Sequence, residues 1–234
     1  MCGRFTQQRP TAELARLFEA QPVVPDEGGR FNVAPTQEVS VVVQPEPERP
    51  RVVDAYRWGL VPSWAKSPAV GNKLINARAE TVATSGAFRR SFASRRCIVP
   101  ADAFYEWLRR EDGPTQPYLI RHRDGSPLAF AGLWSTWRDE KHDAWLRSCT
   151  IVTTTPNELM ARIHDRMPVV LAPGDWARWL DPTMTDTTEL QRLLRPSPAA
   201  ELEAYPVSSA VNNPRNKGPE LTRPTDGEVL RISG

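Results

Sequence analysis

Apolar and polar residues alternate along this chain in short runs, and the period of the runs changes often. "TAELARLFEA" (11–20) has apolar residues at helical spacing, with Thr11 as its N-cap. "EVSVVVQ" (38–44) and "RVVDAYRWGLV" (51–61) read as strands on either side of the turn "PEPERP". "GAFRRSFASRR" (86–96) reads as a helix. "CIVPADAFYEWLRR" (97–110) is apolar and aromatic, a strand bent at Pro100. "PYLIRHRDGSPLAFAGLW" (117–134) carries a hairpin pattern with "RDGS" at the turn. "SCTIVTTT" (148–155) is a β-branched strand, "PNELMARIHD" (156–165) a short helix opened by Pro156, and "MPVVL" (167–171) a strand. "GDWARWLD" and "TDTTELQRLLRP" read as helices, and "AELEAYPVS" (200–208) as the last strand. Many strands with short helices, and no regular βαβ alternation, predict an α+β fold with a largely antiparallel sheet.

There is no internal repeat and no interdomain linker, so one domain is expected over residues 2–221. Residues 222–234 have little apolar pattern and read as a flexible C-terminal tail. A chain of 234 residues is long enough to bury a core. A hydrophobic content of 40% with eight tryptophans argues against disorder. No apolar run approaches the roughly 20 residues that span a bilayer, and the first residues lack a signal-peptide core. The expected location is the cytoplasm.

Three cysteines without a spacing pattern give no disulfide framework, and three histidines without CxxC or HExxH give no metal site. No cofactor is expected. Charge is uneven. Residues 51–100 hold nine Lys/Arg against Asp54 and Glu80, a segment of +7 in a chain of net +2. The same segment carries Tyr56, Trp58, Trp64, Phe88 and Phe92. Cations among aromatics suit a phosphate backbone with stacked bases, and equally a solvated basic face.

Cys2 follows the initiator methionine directly. Removal of Met1 ahead of this small residue gives an α-amine and a thiol on one residue. The amine, with a pKa of about 8, is nucleophilic near neutral pH and condenses with aldehydes. The thiol can then close a five-membered thiazolidine. Such chemistry needs a proton shuttle in apolar surroundings. Glu106 in "AFYEWL" and His164 in "ARIHDRMPVV" are the candidates. Each has a plainer reading: a solvent-facing carboxylate, or a histidine that only hydrogen-bonds the fold. "INARAE" (75–80) also reads as an ordinary helix start.

Seven motifs occur in order: "MCGRF", "FNVAPTQ", "RWGLVPSWA", "NARAET", "RRCIVPADAFYEW", "IHDRMPVVL" and "VNNPRNKGPEL". Together they resemble the SRAP family of abasic-site processing proteins, first described as SOS-response-associated peptidases, from Cys2 to about Leu221. The resemblance implies antiparallel strands curled into a barrel-like core. It implies a monomer that binds single-stranded DNA containing abasic (AP) sites and forms a covalent thiazolidine crosslink through Cys2, shielding the lesion. AP-lyase activity, self-reversal and autoproteolytic removal of Met1 are implied beside it. Catalytic roles fall to Cys2 as nucleophile, Asn76 as a hydrogen-bond partner of the opened sugar, Glu106 as general acid/base and His164 as a proton-transfer group. Arg4, Arg78 and Arg166 would contact phosphates, and Trp64 and Trp107 would flank the lesion. Rival readings are an N-terminal-nucleophile amidohydrolase, which also begins "MCG", a cysteine protease, and a non-catalytic single-strand binder.

Overall fold

The computed structural model describes residues 2–26, 28–109 and 113–232. In chain order the strands are β1 (Phe5–Gln7), β2 (Ala20–Pro22), β3 (Arg30–Val33), β4 (Glu38–Val43), β5 (Arg51–Trp58), β6 (Asn76–Arg78) and β7 (Arg96–Ala101). They continue as β8 (Ala103–Leu108), β9 (Gln116–His122), β10 (Leu128–Asp139), β11 (Ala144–Thr154), β12 (Met167–Pro168), β13 (Leu202–Pro206) and β14 (Leu230–Arg231). The α-helices are short: α1 (Thr11–Leu17), α2 (Arg89–Ser94), α3 (Glu158–Ala161), α4 (Trp176–Leu180) and α5 (Thr187–Gln191).

Five strands close on themselves. β11 pairs with β10, β10 with β7, β7 with β4 and β4 with β5, all antiparallel. β5 then returns to β11 in parallel, through Ser148↔Arg57 and Cys149↔Trp58. Closure removes the free edges that an open sheet would present. Period-two alternation separates two cores. Val39, Val41 and Val43 of β4, Cys97 and Val99 of β7, and Leu128 and Phe130 of β10 face the interior. Val42, Ile98, Ala129 and Ala131 face outward and are covered by Leu14 and Phe18 of the α1 region, Phe92 of α2 and Trp179 of α4. A second sheet, in the order β14-β13-β9-β8-β1-β3, adds Phe5, Phe104, Ile120, Leu202 and Ala204 to the interior cluster. Its other face buries Ala103, Tyr105, Leu119 and Tyr205 under Val207, Val211 and Leu221. The fold is α+β with a closed barrel, as expected.

One buried charge organises the outer helices. Arg96 is 2% exposed. Its Nε donates to Trp179 O (2.7 Å), Nη1 to Phe92 O and Ala93 O (2.8 and 2.7 Å), and Nη2 to Asp181 O and Met184 O (2.5 and 2.9 Å). It thus ties together carbonyls near the ends of α2 and α4 that lack helical partners. Burial lowers the Arg96 pKa to about 10, so the group stays charged at neutral pH.

Several local expectations are corrected. Thr11 is not the N-cap of α1. Pro10 holds that position, and Thr11 is buried with its hydroxyl donating to Pro25 O at 3.1 Å. The bend expected at Pro100 lies at Asp102, whose carboxylate accepts the Gln8 N–H and binds Arg9. That residue is where the chain passes from barrel to second sheet; Arg110 of the same expected strand lies outside the described residues. The turn at "RDGS" exists, but its flanking strands do not pair with each other. β9 joins β8 and β13, whereas β10 joins β7 and β11. The long hairpin is β10–β11, paired from Gly132↔Ile151 to Asp139↔Ala144. The tail expected over 222–234 is, as far as Ile232, part of the fold: Leu230 is buried in the interior cluster and β14 pairs with β13.

Candidate functional site

Cys2 lies three residues before the start of β1 and is fully buried as part of the interior cluster. Asn76 reaches it from β6. β6 lies parallel on β11 through Asn76↔Ile151, Ala77↔Val152 and Arg78↔Thr153. That pairing aims Asn76 Nδ2 at Cys2 O, 2.8 Å away. Asn76 Oδ1 is buried and accepts no hydrogen bond among the described residues. A buried polar atom left in this state is costly.

Glu106 comes from β8, the neighbour of β1. The register Phe5↔Phe104, with the Tyr105 N–H donating to Arg4 O at 2.9 Å, brings residue 106 beside the residues that precede β1. Phe104 and Glu106 face inward, while Tyr105 and Trp107 face the outer cluster. Glu106 is accordingly 2% exposed, and the solvent-facing reading of this residue is excluded. Burial raises its pKa, and the charge of His164 partly opposes the rise. Burial likewise pushes the Cys2 thiol up, helped by the negative charge of Glu106. The pair therefore favours a protonated thiol and a carboxyl poised to hold a proton.

His164 follows α3, with its N–H on Met160 O at 2.8 Å. Its Nδ1 accepts the Arg166 N–H at 3.0 Å and also lies 2.9 Å from Asp165 Oδ1. The two contacts suit different protonation states. The neutral ring takes the Arg166 N–H at Nδ1 and carries its proton on Nε2. The imidazolium donates from Nδ1 to the exposed Asp165.

The arginines differ in readiness. Arg4 Nη1 donates to Asn32 Oδ1 and to Val211 O, each at 2.7 Å, and its guanidinium lies 6.0 Å from the Trp107 ring centre. Its Nε is buried without a hydrogen-bond partner among the described residues. Arg166 is held by both oxygens of Glu80 at 2.7 and 3.0 Å and by Thr153 O at 2.7 Å. Arg78, opposite Thr153 on β6, is exposed. Trp107 donates from Nε1 to Asn212 Oδ1 at 2.7 Å. Trp64 is 60% exposed, on the loop that joins β5 to β6. That loop is braced. Trp137 of β10 donates to Ala65 O at 2.6 Å and packs with Val61 and Ala65. At its base, Gly59 (φ +119°) and Gly71 touch so closely that a Cβ on Gly59 would lie 2.5 Å from Gly71 O. The structure thus gathers Cys2, Asn76, Glu106 and His164, with Arg4 and Trp107 on one flank and Arg78 and Arg166 on the other. Met1 lies outside the described residues.

Two supporting residues carried no assigned role in the sequence. Asn32 is buried and donates from Nδ2 to Val211 O, Asn213 O and Asn216 O at 3.3, 3.1 and 2.9 Å. Its own carbonyl accepts from Lys217 Nζ at 3.1 Å. It joins "FNVAPTQ" to "VNNPRNKGPEL" and sets Arg4 in place. Glu80, drawn below the usual carboxylate range chiefly by its hydrogen bond to Arg166, orients that arginine. Both lie inside the motifs, which was the only available signal.

The family model described as "SOS response associated peptidase (SRAP)" matches residues 1–214. The chain belongs to the SRAP family. It is 43% identical over 223 residues to the abasic site processing protein YoqW of Bacillus subtilis, covering 94% of this chain and 98% of that protein. It is 33% identical over 231 residues to YedK of Escherichia coli, named in the same way, covering 96% and 100%. The SRAP fold recurs in a solved structure from Bacteroides thetaiotaomicron, with a TM-score of 0.85 at 23% identity, covering 96% of this chain and all of that one. A Bordetella bronchiseptica structure follows at 0.76 and 28%, covering 88% and 100%. No helix among the described residues is long and apolar enough to cross a membrane.

Proposed function

We propose that this SRAP protein processes abasic sites in single-stranded DNA, acting as a monomer, by forming a covalent thiazolidine with the ring-opened sugar through Cys2. The observation that carries the reading is the placement of Glu106. A buried carboxyl with a raised pKa stands beside a residue that, once Met1 is removed, bears both an amine and a thiol. The names of the curated relatives supply the substrate.

The α-amine of Cys2 adds to the C1′ aldehyde and forms a carbinolamine. Glu106 donates a proton to the departing hydroxyl, water leaves and an imine remains. The Cys2 thiol then adds to the imine carbon, and its proton passes to the nitrogen. One C–N and one C–S bond form, and one water is lost. Asn76 Oδ1 accepts from the sugar hydroxyl released on ring opening. His164 relays the proton between Glu106 and the sugar. Arg78, and Arg166 as held by Glu80, meet the flanking phosphates, while Trp64 and Trp107 flank the gap left by the missing base. Strand cleavage by β-elimination competes from the same imine, and adduct reversal retraces the steps.

Cys2→Ser tests the division of labour. The amine survives and the strong nucleophile is lost, so borohydride still traps an imine with AP-site DNA and strand cleavage persists. The heat-stable adduct formed without reductant, with an intact mass one water below protein plus DNA, disappears. A stable adduct of Cys2→Ser without borohydride overturns the thiazolidine.

A further inference from the structure

A large cleft lies away from Cys2, on the outer face of the second sheet. Its volume is about 710 Å³, within the usual range for ligand sites. Ala103, Leu119 and Tyr205 are apolar or aromatic in its lining, and Arg121, Glu203, Arg223 and Arg231 are charged. Alternation sets it on the face opposite Glu106: Leu119 and Tyr205 belong to the outer cluster, whereas Ile120 and Ala204 belong to the interior.

At its centre is a row of charges across three strands. Glu203 of β13 stands directly opposite Arg121 of β9 and Arg231 of β14. Its Oε1 accepts from Arg121 Nε (3.0 Å) and Nη2 (2.9 Å), and its Oε2 from Arg231 Nε (3.0 Å) and Nη2 (2.5 Å). Glu203 is 4% exposed. The carboxylate is spent on orienting the two forks, and each keeps its Nη1 without a hydrogen-bond partner among the described residues while remaining about half exposed. Arg121 is fixed further by the Tyr205 ring, 5.4 Å from its guanidinium carbon. Arg223 lines the same cleft and makes no side-chain hydrogen bond or ion pair among the described residues. Arg9, at the far wall, is already matched by Glu13 and Asp102.

A row serving only to hold strands together needs one arginine per glutamate. Here Arg121 and Arg231 share one carboxylate and Arg223 lines the same cleft, so that even with Arg9 outweighed by Glu13 and Asp102 the four lining arginines exceed the three carboxylates by one positive charge. Arg121 and Arg231 reach the cleft from the strands on either side of Glu203, and Arg223 lines it from the end of the turn Pro219–Thr222; together they call for an anion with more than two acceptor oxygens. A tetrahedral phosphate meets this requirement and a carboxylate does not.

We propose that this cleft is a phosphate-binding site, with Arg121, Arg223 and Arg231 as its donors and Glu203 as the positioning residue. The phosphate is either a phosphodiester of the DNA strand well outside the lesion or free phosphate in solution. The inference goes beyond the crosslinking reading and does not require it.

The test compares the full chain with Arg223→Ala and Arg231→Ala. Neither should unfold the protein, because Arg223 has no partner and Glu203 retains Arg121; thermal melts check this. In one arm, inorganic phosphate is titrated while the arginine Nε–H resonances are followed by NMR. In the other, affinity for undamaged single strands of about 8 and about 30 nucleotides is measured against salt. If the strand is the source, Arg223→Ala weakens the longer DNA roughly three- to tenfold and lowers its salt slope by about 0.7, leaving the shorter one unchanged. If free phosphate is the source, the Arg121 and Arg231 resonances shift with millimolar phosphate, Arg223→Ala weakens that response, and strand length has no effect. No phosphate response together with unchanged binding of the longer strand overturns the proposal. Crosslinking at saturating AP-site DNA is unchanged in both variants, so a failure of the crosslinking reading would appear in the parent protein and not here.

Discussion

Two buried charged regions of this molecule are built on opposite terms. Around Arg96 every guanidinium nitrogen has a carbonyl acceptor, with two each at Nη1 and Nη2. Around Cys2, Asn76 Oδ1 and the Nε atoms of Arg4 and Arg166 are buried with no hydrogen-bond partner among the described residues, and Glu106 carries a pKa that burial has raised. The first region spends its polarity on stability. The second leaves part of it unmet, which fits the crosslinking reading of a site that takes a substrate.

Three substitutions would break or sharpen that contrast. Glu106→Gln carries the largest expected effect on chemistry: crosslinking slows roughly 10²–10⁴-fold while DNA binding persists. Stability moves the other way. The folded carboxyl holds its proton more tightly than the unfolded one, so its contribution is complete below the ordinary carboxylate pKa. That contribution is lost as pH rises through the raised value. Glu106→Gln has no such loss, so its stability relative to the parent grows with pH across that window and then levels. Denaturant melts between about pH 4 and 8 giving a constant difference would contradict the burial argument.

Arg96→Ala should do the reverse, leaving several buried carbonyls unmatched and costing about 3–5 kcal/mol. Thermal or denaturant unfolding measures it. Folded protein that remains should crosslink at the parental rate, since Arg96 touches none of the site residues. A loss below about 1 kcal/mol would mean that the carbonyls find other partners. Arg78→Ala is expected to have the smallest effect. Binding to intact and abasic single strands weakens alike, about three- to tenfold, with a shallower salt dependence. Unchanged binding with a slower reaction would move Arg78 from phosphate recognition into the chemistry.

Much of this was legible in the chain, for identifiable reasons. Alternation in "EVSVVVQ" gave β4 and its two faces, and the seven ordered motifs brought Cys2, Asn76, Glu106 and His164 into one hypothesis before any geometry. Strand pairing was not legible. "RDGS" encodes a turn, but a turn does not encode whether the strand beyond it returns to its neighbour or leaves for another sheet. Nor could spacing reveal that Asn32 would be bound to a loop some 180 residues later. Glu106 was ambiguous because alternation alone makes one face of a strand different from the other without saying which is wet. Here both faces of β8 are covered, and the carboxyl is dry.

β6 is only three residues long, and a strand of that size would ordinarily open and close independently of its surroundings. Here it is laid along β11, which also bonds β5 and β10 in the closed ring. Asn76 and Arg78 are therefore anchored on a strand of the closed ring, a firm support for so short an element. A rigid receptor leaves conformational adjustment to its guest. Under the crosslinking reading this favours an unpaired strand, whose sugar–phosphate chain bends at little cost, over a duplex that would have to be deformed to enter.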